Sequence, residues 1–309
     1  MLQRLGIYLK EMFPIGVYVP FAFLNHYVLF FAIQLFIGVN TPIISLYSLV
    51  GVATMLGFML IMRVFDELKD EEVDARLFPH RPYPRGAVKK RDLIVMAVAV
   101  FGVVVAFNLY RSYTLPFFLW SVFYGFLTYK WFFLRRTIQN NLLLALFSHQ
   151  PLTLIVNMYV ASTAMVQVNQ FGWDANILLA MITFFLPVFA WELSRKIKAK
   201  NTENDYVTYS KILGPRIAAG SCYVVLFSFS VLLIWLGIQF GFSMWHFWLQ
   251  LLPLGYITFI FGRFILTPIS AHNQLKTTTE LWPAVASLVF LIGIMVSKGI
   301  AFQVGVTPL

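Results

Sequence analysis

The sequence predicts an all-α polytopic membrane protein, with nine transmembrane helices around a central cavity. Three observations predict it. Sixty per cent of the 309 residues are hydrophobic and 12% are charged, against about 25% charged in soluble domains. Mean hydropathy is +0.77, and the apolar residues gather into runs close to the roughly 20 residues that a spanning helix needs. Lys and Arg fall in the loops between these runs, which alternate between rich and poor along the chain.

Residues 1–16 read as a short amphipathic lead-in carrying Arg4, Lys10 and Glu11, and no leader is expected to be cleaved from it. Spans follow near 17–38, 43–63, 92–109, 115–133, 142–161, 176–193, 217–239, 245–265 and 282–302. In the fifth, Pro151 follows His149 and Gln150 and predicts a local kink. Two polar stretches, 64–90 and 194–214, begin 130 residues apart, and each is followed by a run of apolar helices. One helix followed by two similar four-helix halves fits that spacing. The whole chain, 1–309, reads as a single integral membrane domain.

Orientation follows from charge. Twenty-one of the 23 Lys and Arg residues lie on one side, in the N-terminus and the loops 63–91, 130–136, 195–216 and 263–276; Arg111 and Lys298 lie on the other. The positive-inside rule then puts the N-terminus and both polar loops in the cytoplasm and the C-terminus on the opposite side. The net charge of +10 is explained by orientation in membrane lipid and by anionic phosphate ligands, and nucleic acid is not expected as a partner. The lone cysteine, Cys222, lies in an apolar run. It excludes a disulfide framework and a cysteine metal site and reads as a small buried residue.

The chemistry is concentrated after the second span. Residues 66–74 hold six of the 13 acidic residues: Asp66, Glu67, Asp70, Glu71, Glu72 and Asp74. Asp66, Asp70 and Asp74 are spaced i, i+4, i+8, which on a continuous helix puts them near one face, with Glu67 beside them. Carboxylates so close repel, and a cation relieves the repulsion. Oxygen-only ligands suit Mg²⁺, which takes one or two carboxylates and shares substrate phosphates. Asp66, Glu67, Asp70 and Asp74 are therefore candidate metal ligands at a Mg²⁺–diphosphate site; a solvated acidic loop is the alternative. The loop continues Phe78-Pro79-His80-Arg81-Pro82-Tyr83-Pro84-Arg85-Gly86. Its prolines stiffen it, and Arg81 and Arg85 can present guanidinium groups to phosphate oxygens. For His80, a solvated loop residue and a functional one stand level.

At these residues the chain resembles the UbiA superfamily of intramembrane prenyltransferases. The superfamily carries Asn-Asp-x-x-Asp-x-x-x-Asp at the end of its second helix, then Arg-Pro-x-Pro-x-Gly. Here the first reads Asp66-Glu67-x-x-Asp70-x-x-x-Asp74 and the second Arg81-Pro82-Tyr83-Pro84-Arg85-Gly86. Asp66 replaces Asn and Glu67 replaces Asp, and both keep an oxygen ligand. The resemblance covers essentially the whole chain and implies a nine-helix fold. Leu134-Arg135-Arg136-Thr137, followed by Asn140 and Asn141, is similar to the turn entering the family's fifth helix. That implies a substrate phosphate contact by Arg135 or Arg136; a charge anchor is the other reading.

The second acidic motif departs from the family. Between Trp191 and Gly214 the expected aspartates give way to Lys196, Lys198 and their neighbours, and Glu192, Glu203 and Asp205 are the acids that remain. A basic strip neutralises diphosphate as point charges. The expectation is therefore metal on the first motif, with Arg195, Lys196 and Lys198 clamping the diphosphate from the opposite side. The alternative is a degenerate loop. Polar groups within spans are costly and face inward. Asn25, His26, His149, Gln150 and Asn157 can line a substrate chamber or bond between helices, and Lys298 snorkels. Among 32 Phe, 14 Tyr and 8 Trp, some aromatic faces can stabilise an allylic cation.

The function expected is Mg²⁺-dependent ionisation of an isoprenoid diphosphate and transfer of the prenyl group to a lipophilic or aromatic acceptor. The alternatives are a terpene cyclase of the same fold, needing no acceptor, and a non-enzymatic transporter or scaffold.

Overall fold

Each expected apolar run becomes a helix, and local chemistry sets where the helices stop. The computed structural model describes residues 1–203 and 207–304. The lead-in is α1 (Leu2–Met12), followed by α2 (Ile15–Phe36) and a short strand β1 (Ile43–Ser45). The first half continues with α3 (Leu46–Lys69), α4 (Glu71–Leu77), α5 (Lys90–Asn108), α6 (Leu115–Tyr129), α7 (Arg135–Gln139), α8 (Leu142–His149) and α9 (Pro151–Gln167). The second half comprises α10 (Ala175–Ser194), α11 (Tyr209–Leu213), α12 (Pro215–Gln239), α13 (Met244–Leu266) and α14 (Leu275–Lys298), and β2 (Ala301–Gln303) follows.

Among the described residues, eight helical segments are long and apolar enough to cross a bilayer. The fourth expected span, 115–133, supplies only the 15 residues of α6. At 1.5 Å per residue α6 is about 22 Å long, short of the roughly 30 Å hydrocarbon core. It stops because Trp131, Phe132 and Phe133 all take positive φ, at 51°, 51° and 60°, which no right-handed helix accommodates. The fifth span divides at Gln150 into α8 and α9, at the kink that Pro151 predicts.

Packing follows the one-plus-two-halves expectation. Helix α2 lies against α3 and α9 of the first half and against α10 and α14 of the second, and the halves also meet directly through α9 and α10. One core of buried residues surrounds α2, including Phe30, Phe31, Tyr159, Phe184, Phe229 and Phe290; another, around Phe261 and Phe264 of the second half, also takes in Leu146 of α8. Glycine sets the closest approach, because an added Cβ at Gly51 of α3 would lie 2.6 Å from the His26 ring of α2.

The all-α expectation misses one parallel strand pair. Ile43 to Ser45 pair with Ala301 to Gln303, where the sequence reading extends the second and ninth spans. Gly299, at φ +71° and ψ 178°, ends α14 before residue 302 in a conformation that glycine adopts without the steric cost of a Cβ. Ser45 caps α3 in a capping box with Ser48. Its Oγ also donates to Gln167, whose amide donates to Gln303 Oε1 at 3.4 Å.

Candidate functional site

The candidate site is built where α3 ends. Asp66 and Glu67 occupy its last turn, and Asp70 breaks the helix with φ −103° and ψ 18°. The short helix α4 then starts with Glu71, Glu72 and Asp74 in its first turn, where acids complement the helix dipole. The i, i+4, i+8 set is therefore not displayed on one straight helix, as the spacing alone implies. Asp74 belongs to a separate element, and its carboxylate is buried against Arg81.

Each acid of the cluster except Asp70 has its own cation. Lys69 lies 3.3 Å from Asp66, Arg63 pairs with Glu67, and Arg81 donates to Asp74 at 2.6 Å. Lys90 bonds Glu71 at 2.7 Å, and Tyr83 donates to the other Glu71 oxygen at 2.5 Å. Arg135 reaches Glu72 at 3.7 Å. Asp70 has no side-chain hydrogen bond or ion pair among the described residues. Burial pushes its carboxyl above the usual carboxylate range, and the charges of Lys69 and, further down the order, Lys196 pull it back. Glu67 has 1% of its side chain exposed, and its Oε2 has no hydrogen-bond partner.

Basic residues also gather at the end of α10. Glu192 pairs with Arg195 at 2.7 Å and with Lys196 at 3.1 Å, and the Lys196 charge helps to lower the Asp70 carboxyl. Lys198 donates its backbone N–H to Ser210 Oγ at 2.7 Å. Asp205 lies outside the described residues, and Glu203 accepts from Thr208 at 2.9 Å.

Other expected residues divide. Arg81 is at the cluster and also stacks on Phe78, 4.0 Å from the ring centroid. Arg85 is drawn off to α1, where it forks onto both Glu11 oxygens at 2.9 and 2.7 Å. Arg136 is exposed. Asn25 donates to Phe21 O in its own helix at 2.8 Å, and Asn157 donates to Met181 O across α9 and α10 at 2.9 Å, so both spend their amides on backbone bonds. Gln150 caps the α8–α9 break with a buried Oε1 that has no partner.

The sequence reading gave no site role to Lys69 or Trp131 and did not foresee that the lead-in docks beside the site. Lys69 Nζ sits 4.6 Å over the Trp131 ring, and His149 packs edge-on against the same ring at 5.3 Å. A lysine three residues after Asp66 is the signal that was present; the left-handed turn that delivers Trp131 leaves none. Helix α1 is bolted to the site's outer wall by Arg4, 2.6 Å from Asp92, and by Glu11 on Arg85. Its Tyr8 is fully buried beside Val64 and Val88.

The donor set suits a hard cation. Asp70 and the free oxygen of Glu67 supply carboxylate oxygen from one helix turn, which matches the one or two carboxylates that Mg²⁺ shares with substrate phosphates. No group of three or more His, Cys, Asp or Glu residues poised for a metal exists among the described residues. The protein's own share is thus the smaller one. Two hollows, of about 260 and 400 Å³, are lined by residues including Tyr256 and Trp282 and by Pro215 and Pro268, and neither borders the acidic cluster.

Comparison with known proteins agrees with this architecture. No curated protein sequence matches the chain. A solved structure of a digeranylgeranylglyceryl phosphate synthase superposes with a TM-score of 0.65 at 14% identity, covering 95% of this chain and 99% of that one. The apo structure of a UbiA homologue from Aeropyrum pernix K1 superposes with a TM-score of 0.61 at 16% identity, covering 90% and 96%. At such identities the likeness speaks for the fold. The sequence itself matches the UbiA prenyltransferase family over residues 27–282, and the chain belongs to that family.

Proposed function

We propose that this protein ionises an isoprenoid diphosphate at the cytoplasmic end of α3 and passes the prenyl group to a lipophilic or aromatic acceptor within the membrane. The observation that carries the proposal is Asp70, a half-buried carboxylate at a helix break with no side-chain hydrogen bond or ion pair among the described residues. A carboxylate partly withdrawn from water and left unpaired is costly, so the arrangement calls for a ligand that supplies positive charge.

Asp70 and Glu67 would hold Mg²⁺, which supplies Lewis-acid stabilisation of the departing diphosphate. Asp66 and Asp74 orient their lysine and arginine partners from either side of that pair. Arg81, fixed by Asp74 and Phe78, presents its remaining N–H groups toward phosphate oxygens, a geometry for which guanidinium is well shaped. Arg195 and Lys196 close the opposite side, oriented by Glu192. These charges are in place before the reaction, so they stabilise the developing diphosphate charge without reorganising. Phe132, packed edge-on against His149 beside Trp131, offers a π-face to an allylic cation.

The test is release of diphosphate and formation of prenylated product by the purified protein in detergent, with Mg²⁺, C10 to C20 prenyl diphosphates and a panel of lipophilic and aromatic acceptors. Acceptor-dependent turnover that needs Mg²⁺ and falls at least 100-fold in Asp70→Asn is expected, the size of effect seen when one preorganised electrostatic group is lost. Release without any acceptor, with a cyclic product, would replace transfer by cyclisation. Turnover indifferent to Mg²⁺ and to Asp70→Asn would overturn the site.

A further inference from the structure

We propose that Arg111, at the end of the helix bundle opposite the acidic cluster, heads a binding site for a phosphate group, carried on a membrane lipid or free. The site stands whether or not the acidic cluster ionises a prenyl diphosphate.

Arg111 lies three residues past the end of α5. Its guanidinium stacks on Tyr47, 3.5 Å from the ring centroid, and its Nη2 donates to the Tyr47 carbonyl. Tyr47 is in the first turn of α3, and Asp66 is in the last. At 1.5 Å per residue the two are about 28 Å apart along the helix. Arg111 is 8% exposed, and its Nη1 is buried with no hydrogen-bond partner. It forms no salt bridge among the described residues. The sequence explains why, because Asp174 is the one acid of the 13 in a loop at this end of the helices. The Asp174 carboxylate caps α10 instead, accepting from the Ile177 N–H at 2.9 Å.

A buried cation without a counter-ion is destabilising. The Tyr47 face and the C-terminal dipole of α5 offset part of that cost, but neither gives Nη1 an acceptor. The polar neighbours bond one another or the backbone. Asn108 donates to Thr54 Oγ1 at 2.9 Å and accepts from the Tyr159 hydroxyl at 2.8 Å, and Thr114 donates to the Arg111 carbonyl at 3.3 Å. One turn along α3 from Tyr47, Gly51 faces the ring of His26, whose two nitrogens also lack partners. A guanidinium nitrogen and an imidazole are thus left unsatisfied along one face of α3. A ligand that brings both negative charge and several acceptor oxygens completes them, and phosphate does so with charge-assisted bonds. Leu109 and Tyr110, just before Arg111, are 55% and 96% exposed. An aromatic beside an exposed leucine suits the boundary between acyl chains and headgroups, which favours a phosphate carried on a lipid.

The test is native mass spectrometry of the purified protein in a maltoside detergent, titrated with dodecyl phosphate and, separately, with inorganic phosphate. Thermal melting without ligand checks that each variant folds. The wild type should hold one equivalent of dodecyl phosphate that Arg111→Gln loses, its binding weakened about tenfold or more, as expected for a lost hydrogen bond to a charged group. Arg111→Lys keeps the charge without the planar fork and should weaken binding about threefold; it carries the test if Arg111→Gln does not fold. Arg81→Gln, at the acidic cluster, should leave this equivalent in place. Binding of dodecyl phosphate alone would assign the site to a lipid headgroup. Binding of inorganic phosphate with the same dependence on Arg111 would assign it to the free ion, and either supports the site. Equal binding by the wild type and both Arg111 variants, or none by the wild type, would overturn it and leave Arg111 as an anchor between α5 and α3.

Discussion

At the scale of single residues, the acidic motif is legible in the sequence, and its pairing is not. Spacing names Asp66, Glu67, Asp70 and Asp74. It does not say that Arg63, one turn before Glu67, neutralises a carboxylate whose side chain is 1% exposed. Arg63→Met should therefore destabilise the protein by about 3–5 kcal/mol, since removing one partner strands a buried charge. Glu67→Gln in the same background should recover most of that loss. Denaturation in detergent checks both, and a loss below about 1 kcal/mol in Arg63→Met would show that water reaches Glu67. Arg81 is a similar case. Its motif places it near the acids, but only the fold shows that Asp74 holds one of its nitrogens at 2.6 Å. Asn25 and Asn157 show the limit from the other side. A polar residue in a span reads the same whether it lines a chamber or bonds a neighbouring backbone, and here both bond backbone.

At the scale of elements, apolar periodicity locates nearly every helix, and the misses are all at ends. Helix α3 ends one residue before Asp70 and α6 stops before three left-handed aromatics, and neither event is written in hydropathy. The contact of α2 with α3 is set by Gly51. Gly51→Ala brings a methyl to 2.6 Å from the His26 ring, and overpacking of this kind costs about 1–3 kcal/mol. His26→Ala should relieve it, so the double variant should be more stable than the two single losses predict, a coupling that a double-mutant cycle measures. The docking of α1 gives a pH prediction. Hydrogen bonding to Arg85 holds the Glu11 carboxyl below its ordinary 4.5. A depressed carboxyl contributes its stabilisation above its unfolded pKa and loses it as pH falls through the folded value. Amide exchange in α1 should therefore be flat from pH 7 to 5, after correction for intrinsic rates, and rise below about 4.5. Arg85→Ala should give the faster exchange at every pH.

At the scale of the whole molecule, the charge alternation proposes which side each loop lies on, and labelling tests it. If the 15-residue α6 crosses the bilayer, Lys10 and Lys276 share one side and Gln170 lies on the other. Cys222 is buried and should stay silent to a membrane-impermeant thiol reagent, so cysteines placed singly at these three exposed positions report cleanly. Labelling of Lys10→Cys and Gln170→Cys from the same side would show that α6 does not cross. The two-half organisation was readable from loop spacing, because a polar loop follows the first long helix of each half. The role of α2 as the helix touching both halves was not, because Asn25, His26 and Gln34 are scattered around an otherwise apolar helix and form no stripe that would announce a face.

The pairing of β1 with β2 has a consequence for how the protein is made. Ser45 and its neighbours emerge from the ribosome early, and their partners at 301–303 emerge roughly 250 residues later, about 13–50 s at ordinary elongation rates of about 5–20 residues per second. Until then β1, and the Gln167 amide once it has been made, lack their final partner at the end of the bundle remote from the acidic cluster. The acidic and basic ends of α3 and α10 have by then both been delivered to the near side. Assembly therefore finishes on the face remote from the chemistry, and a chain halted after α14 should insert every helix and yet remain open to proteases at residues 40–45.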